Sequence, residues 1–131
     1  MNDAPHAELA RIRDLIKKEQ YDEALQSVIG VQQSVEGSAG ALAFWLRGLA
    51  LTGLSQPDRA ERSFRTAYSI VRYAPASDAD AQRILGEAAE RIGLYSEATA
   101  AYQAVLQSLP NDEAAKAGLE RLSRDRSRKS S

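Results

Sequence analysis

The side chains that most often carry nucleophilic or metal chemistry are scarce in this chain, which has one histidine and no cysteine. Without a second imidazole or a thiolate, His6 lacks the partners from which a transition-metal site is built. A serine–histidine nucleophile would also need an acid partner, and the sequence indicates none. The segment 37–40, Gly-Ser-Ala-Gly, lacks the lysine and the preceding strand of a phosphate-binding loop. We therefore predict a protein that is not an enzyme and that holds no metal and no cofactor.

The composition is that of one ordinary globular domain. The chain has 131 residues, 44% of them hydrophobic and 27% charged, and a formal net charge of -1. This length is typical of a single domain, and the small charge gives no general attraction to nucleic acid or anionic lipid. The first residues lack the basic start and apolar run of a secretory signal. The most apolar stretch, residues 39–54, is interrupted by Arg47 and is shorter than the roughly 20 residues of a membrane span. We therefore expect a cytoplasmic protein without a membrane segment.

The C-terminal end of the sequence is basic. From Arg121 onward, five arginines and lysines occur with one acidic residue, Asp125. Such a segment can contact nucleic acid or anionic lipid, but no aromatic residues are interleaved with the arginines to stack on bases. Cations also suit the C-terminal end of a helix. We therefore predict a helix end that passes into a disordered basic tail over residues 125–131, with no binding to nucleic acid or membrane.

The chain contains an internal repeat. Three alanines are separated by 36 and 38 residues, namely Ala24, Ala60 and Ala98. Twelve residues before each alanine lies a small or apolar residue: Ile12, Gly48 and Gly86. Four residues after each alanine lies a bulky apolar residue: Val28, Phe64 and Tyr102. Repeats of this length are supersecondary units that bury their apolar faces against their neighbours. The pattern therefore predicts three stacked units.

Glycines inside the predicted helices indicate close contact between neighbouring helices. Glycine in a helix costs on the order of 1 kcal/mol relative to alanine, a cost that is expected where two backbones must approach. In the third unit we predict that Gly86 meets Ala98 of the following helix. Tyr102, one helical turn beyond that alanine, would fill the space behind the contact. Gly48 and Ala60 predict the same arrangement in the second unit.

Local signals are helical along the whole chain, and neither strand alternation nor a hairpin turn signal is present. Capping residues agree with the helix starts: Ser38 for the third helix, Ser77 or Asp78 for the fifth, and Asn111 or Asp112 for the seventh. The predicted helices span residues 5–18, 21–34, 39–53, 57–73, 79–92, 95–108 and 112–124.

These landmarks resemble the tetratricopeptide-repeat family, whose pattern runs W-x₂-L-G-x₂-Y, then A-x₃-F, then P. The third unit matches best, with Leu85-Gly86, Ala98, Tyr102 and Pro110, whereas the first unit is degenerate. The resemblance covers nearly the whole chain. It implies an all-α, right-handed α-solenoid of three antiparallel helix pairs plus a C-terminal capping helix. The expected domain covers residues 1–124, with repeats at about 5–36, 41–76 and 79–110 and the capping helix at 112–124.

The resemblance also implies a function, because the first helices of such repeats line a concave groove. We expect an adaptor or scaffold module that binds a peptide or helix of a partner protein in this groove. The alternative is a self-associating repeat protein that forms a homo-oligomer through an exposed apolar stripe. Carrying the family's geometry onto this sequence gives nine groove residues: Leu9, Arg13, Lys17, Leu42, Trp45, Leu49, Arg83, Glu87 and Glu90.

The centre of the predicted groove is apolar, and its two flanks differ in the sign of their charge. This pattern suits an amphipathic helix or extended segment with a polarised charge pattern. Because neighbouring residues of a helix point about 100° apart, Phe44 and Trp45 cannot share one environment. We predict that Phe44 packs inside and that Trp45 is partly exposed in the groove. The alternative is that Trp45 packs between the first and second repeats as ordinary core.

Some members of the family bind the C-terminal carboxylate of heat-shock chaperones through a clamp of lysines, asparagines and arginine in the groove. The matching positions of this sequence are Leu9, Arg13, Leu46, Asp80 and Ile84. Only Arg13 could serve in such a clamp, so we expect no binding of this kind.

Overall fold

The computed structural model describes the backbone of residues 4–130 and the side chains of residues 4–125. Helices and short connections account for all of this described part, as the all-α prediction required. None of the described helices is both long enough and apolar enough to cross a lipid bilayer. The seven helices are α1 (Ala4–Lys17), α2 (Tyr21–Gln32), α3 (Gly37–Gly53), α4 (Pro57–Val71), α5 (Ala79–Arg91), α6 (Tyr95–Ser108) and α7 (Glu113–Ser130).

Three of the described helices begin with a residue that suits a helix start. Pro57 stands in the first turn of α4, where its missing N–H costs little. Asp78 caps α5 by accepting a hydrogen bond from the Ala81 amide at 3.1 Å, and Asp112 caps α7 in the same way. The prediction for Ser38 is wrong. The chain enters α3 directly from an extended residue, Glu36, so the helix already includes Ser38 in its first turn.

The last helix is longer than predicted. The sequence analysis ended it at residue 124 and expected a disordered tail over 125–131, yet α7 continues to Ser130; Ser131 lies outside the described residues. Arginine and lysine are good helix formers, and cations near the C-terminal end interact favourably with the helix dipole. Arg124 also forms an ion pair with Glu120 one turn earlier, at 3.3 Å. A basic composition is therefore compatible with continued helix here.

Short connections make each odd-numbered helix the neighbour of the next, so α1–α2, α3–α4 and α5–α6 form three pairs, with α7 packed on α5 and α6. The predicted close approach at the helix glycines is present, and an aromatic ring of the following helix provides the nearest atoms. A Cβ built on Gly86 would lie 2.7 Å from Cε1 of Tyr102, and one built on Gly48 would overlap the ring of Phe64. The aromatic ring itself therefore lies against the glycine, and its atoms are the nearest ones to the added Cβ.

Tyr102 of α6 contacts both α5 and α7. Its ring is 0% exposed and is held between Gly86 of α5 and Gly118 of α7. Its hydroxyl donates to Oε1 of Glu90 at 2.8 Å, and the Arg121 guanidinium donates to both oxygens of the same carboxylate, at 2.9 and 3.0 Å. These contacts hold α7 against α5, which closes the end of the helix stack.

Candidate functional site

A concave cavity of about 710 Å³ lies between the first helices of the three pairs, α1, α3 and α5. Helix α3 contacts both α1 and α5, so it forms the floor while the other two form the rims. We call this cavity the groove. Eight of the nine predicted groove residues line it: Leu9, Arg13, Lys17, Leu42, Trp45, Leu49, Arg83 and Glu87.

Several further side chains line the groove that the sequence analysis did not assign to it, including His6, Ile16 and Ala39. Most lie three or four residues from a predicted position on the same helix. The signal that would have found them is the helical repeat itself, because residues at this spacing share one face.

The floor of the groove is apolar. Leu42 and Leu49 are half-buried on α3, one turn to either side of Trp45, and Leu9 from α1 is almost fully buried beside them. The half-buried leucines leave part of their surface free for contact. Covering such surface is favourable by roughly 25 cal/mol per Å².

The prediction that Phe44 is buried and Trp45 partly exposed is wrong. Trp45 lines the groove as expected, but it is only 9% exposed. Its ring centroid lies 5.2 Å from that of Phe64, and the guanidinium of Arg91 lies 5.6 Å from the same indole. Phe44 is half-buried and faces a shallow depression on the α4 side of α3. The neighbouring helices cover the groove-facing side of α3, so a residue there is both groove lining and core.

The two rims carry opposite charges. Arg13 and Lys17 are exposed on α1, and neither forms an ion pair or hydrogen bond with the residues the structure describes. Glu87 is half-buried on α5. Burial raises the pKa of the Glu87 carboxyl, and the positive charges of Arg13, Arg83 and Arg121 only partly oppose this shift. The groove thus has a cationic rim on α1, an apolar floor on α3 and a half-buried acidic side chain on α5.

Arg83 lines the groove but is engaged within the fold. Its guanidinium donates to Oδ1 of Asp112 at 2.7 Å and to Oδ1 of Asp80 at 3.0 Å. The hydrogen bond from Arg83 is the main reason that the pKa of Asp112 lies below its usual value. Arg83 therefore fixes the start of α7, and its charge is already compensated.

Glu90 was predicted to lie in the groove, and this prediction is wrong. Its carboxylate points toward α6 and α7, where it accepts hydrogen bonds from Tyr102 and Arg121. Burial alone would raise the pKa of Glu90, but these hydrogen bonds and the charge of Arg121 lower it. Glu90 lies three residues after Glu87 on the same helix, yet it serves the packing of α7 rather than the groove.

The comparison with known proteins supports one conclusion about the fold. Neither a protein-family model nor a curated protein sequence matches the chain. Among solved structures, the Arabidopsis OM64 TPR domain superposes with a TM-score of 0.55, covering 92% of this chain and 94% of that one at 21% sequence identity. This chain has the tetratricopeptide-repeat fold. At this level of identity, the likeness concerns the fold alone.

The five residues that the sequence analysis matched to a carboxylate clamp do not form a set of positively charged or amide side chains. Leu9, Leu46 and Ile84 are buried apolar residues. Asp80 is engaged with Arg83, which leaves Arg13 as the only cation. These five side chains therefore lack the donors that would hold a free terminal carboxylate.

The described part of the chain contains no group of three metal-ligating side chains close enough to share an ion. His6 and Ser38 both line the groove, but among the described residues no hydrogen bond joins them or connects His6 to an acid. A nucleophile and its base must lie within hydrogen-bond reach. What the groove offers is an apolar surface with fixed charges on either side.

Proposed function

We propose that this chain is a protein-interaction module, an adaptor or scaffold domain, which holds an amphipathic segment of another polypeptide in the groove. The observation that carries the proposal is the apolar floor of α3 between two rims of opposite charge. Burial of a partner's apolar side chains against Leu42, Trp45 and Leu49 would supply affinity, and the charged rims would set the direction of the bound segment.

Charge complementarity defines the occupant. Arg13 and Lys17 have no partner in the described structure, so they favour an acidic flank on the bound segment. Glu87 on the opposite rim favours a basic flank. The tetratricopeptide-repeat fold and the apolar floor of the groove support binding as the activity.

The test is a selection of peptides from a random 16-residue display library on the immobilised full-length chain. The dissociation constants of the selected peptides would be measured by the fluorescence of Trp45, which lines the groove. Leu42→Gln and Leu49→Gln each place a polar amide on the floor and are expected to weaken binding by about tenfold or more, as truncated anchors do. Tyr73→Ser is the control, because its ring is 84% exposed and lies outside the groove.

Unchanged affinity in both leucine variants would contradict the proposal. The alternative of self-association is tested with the same proteins by light scattering over a range of concentrations. A dimer that dissociates on Leu49→Gln would show that a second copy fills the groove, and it would replace a separate partner protein as the occupant.

A further inference from the structure

The acidic side chains of α5 differ in how they are neutralised. Asp80 pairs with Arg83 at 3.0 Å, and Glu90 pairs with Arg121 at 2.9 Å. Glu87 lies between them in the sequence, yet it forms no hydrogen bond or ion pair with any residue whose side chain the structure describes. It is therefore the uncompensated acid of this helix.

The position of Glu87 makes the lack of a hydrogen-bonding partner unfavourable for its charged form. It is half-buried on the groove wall, where burial raises the pKa of its carboxyl. In the free protein, the oxygens of Glu87 are not fully enclosed by the described residues, so water can still reach them. An occupant that covers the groove would remove this water, and a carboxylate left without a partner in such a place is strongly unfavourable.

We propose that Glu87 makes the groove selective for segments that carry a lysine or arginine beside their apolar anchors. This proposal rests on the proposed function and names the chemistry of its partner. A purely apolar segment would bury the Glu87 carboxylate without compensation, whereas a basic side chain would form a charge-assisted hydrogen bond with it. Glu87 thus favours one class of partner and disfavours another, which is how specific binding sites discriminate.

Three bases of the protein, Arg13, Arg83 and Arg121, act on Glu87 through their charge, but none of them forms an ion pair with it. Arg83 and Arg121 are bound to Asp112 and Glu90. Arg13 belongs to α1, which does not contact α5, so the floor of α3 and any bound segment lie between Arg13 and Glu87. The charge of Arg13 acts on Glu87 without an ion pair between them.

The geometry also indicates which base would fit. Lysine and arginine have long apolar stems that can lie along an apolar surface while the charged end reaches a polar group. Leu42, Trp45 and Leu49 provide that surface, and Glu87 lies at its α5 side. A base within one helical turn of an apolar anchor meets both requirements.

The experiment uses the full chain and the peptides selected as described for the groove. We expect a lysine or arginine at a constant spacing from the apolar anchors in those peptides. In the parent protein, replacing this base with norleucine should weaken binding roughly tenfold or more. In Glu87→Gln the same replacement should change affinity less than about twofold, because the pair has already been removed. Glu61→Gln, on the exposed surface of α4, is the matched control and should behave like the parent.

The outcomes separate this proposal from the one on which it rests. Peptides that depend on Leu42 and Leu49 but show no enriched base would overturn the role of Glu87 and leave the groove intact as the binding site. A second double-mutant cycle would combine Glu87→Gln with Arg13→Gln and compare the dissociation constants of the same peptide. If the effects of these two substitutions on affinity depend on each other, while the effect of the peptide base does not depend on Glu87, the proposal is overturned as well. If Leu42→Gln and Leu49→Gln leave the affinity for the peptides unchanged, the groove is not the binding site and the proposed function is contradicted.

Discussion

The same substitution, glycine to alanine, is expected to stabilise the protein in α2 but not in α5. At Gly30 in α2, an added Cβ would meet no atom within 4 Å. At Gly86 in α5, it would lie 2.7, 2.8 and 3.0 Å from Cε1, Cδ1 and Cζ of Tyr102. The tyrosine ring has little freedom to move, because Gly118 contacts its other side and its hydroxyl is bound to Glu90.

The magnitudes follow from two opposing effects. Alanine is favoured over glycine inside a helix by roughly 0.5–1 kcal/mol, so Gly30→Ala should raise the free energy of unfolding by about this amount. Gly86→Ala gains the same helix propensity but forces the Tyr102 ring out of place, and such overpacking typically costs about 1–3 kcal/mol. The two variants should therefore differ by about 1–3 kcal/mol, which isolates the steric effect because the propensity gain is common to both.

Urea titrations followed by far-ultraviolet circular dichroism would measure both variants. The expected result is a higher transition midpoint for Gly30→Ala and a lower or unchanged midpoint for Gly86→Ala. Gly86→Leu, which adds three further carbons at the same contact, should destabilise more. Equal stabilisation by Gly30→Ala and Gly86→Ala would mean that Tyr102 moves freely and that α5, α6 and α7 are not held together as described.

Two other pairs of variants test the connections of α7 and α3. Asp112→Ala removes an N-cap and the partner of Arg83, so it should cost roughly 1–2 kcal/mol, whereas Asp80→Ala, with its side chain 81% exposed, should change stability by less than about 0.5 kcal/mol. Because the pKa of Asp112 is lowered from 3.8, its contribution is complete above about pH 4 and is lost as the pH falls through the folded-state pKa. Trp45→Ala should lower the free energy of unfolding by roughly 3–5 kcal/mol, because it leaves a cavity in the core. Phe44→Ala changes a half-buried residue and should lower it by clearly less. Urea titration of both variants would show the opposite order if Phe44 were the core residue.

The elements and their order could be predicted from the sequence because each depends on local spacing. The alanine and glycine landmarks repeat, and capping residues such as Asp78 and Asp112 mark helix starts within the same short segment. The family resemblance then supplied the stacking, which the structural likeness confirms. The groove residues Leu42 and Leu49 came from carrying the family's geometry onto the sequence, and their helical spacing places them on one face of α3.

The environment of single side chains could not be predicted in the same way. Helical spacing gives the direction of Trp45, but its burial depends on Phe64 and Arg91 from other helices. Glu87 and Glu90 are nearly equivalent by position on α5, and their difference arises from partners 12 and 31 residues away from Glu90, at Tyr102 and Arg121. Such contacts over long stretches of sequence are set by tertiary packing.

Glu87 leads to a prediction about stability that needs no partner. Its pKa in the folded protein is raised from the ordinary value of 4.5, mainly by burial. As the pH rises above about 4.5, the carboxyl ionises first in the unfolded chain, while the folded protein retains the proton. The free energy of unfolding therefore falls with rising pH until the folded-state pKa is passed. At neutral pH the folded protein is therefore less stable than it would be with a neutral group at this position.

Glutamine has the shape of the protonated carboxyl without its titration. Glu87→Gln should therefore unfold at a higher urea concentration than the parent at pH 7, and this advantage should disappear near pH 4, where both proteins carry a neutral group. Asp112 titrates in both proteins, so its effect cancels in the difference, whereas the charge of the nearby Glu90 adds to the raised pKa of Glu87 and forms part of the effect that is measured. Glu61→Gln controls for the substitution itself. A loss of stability at pH 7 would show that Glu87 is compensated within the fold. A gain would mean that the free domain retains a destabilising carboxylate in its groove, as is expected of a residue kept for binding rather than for stability.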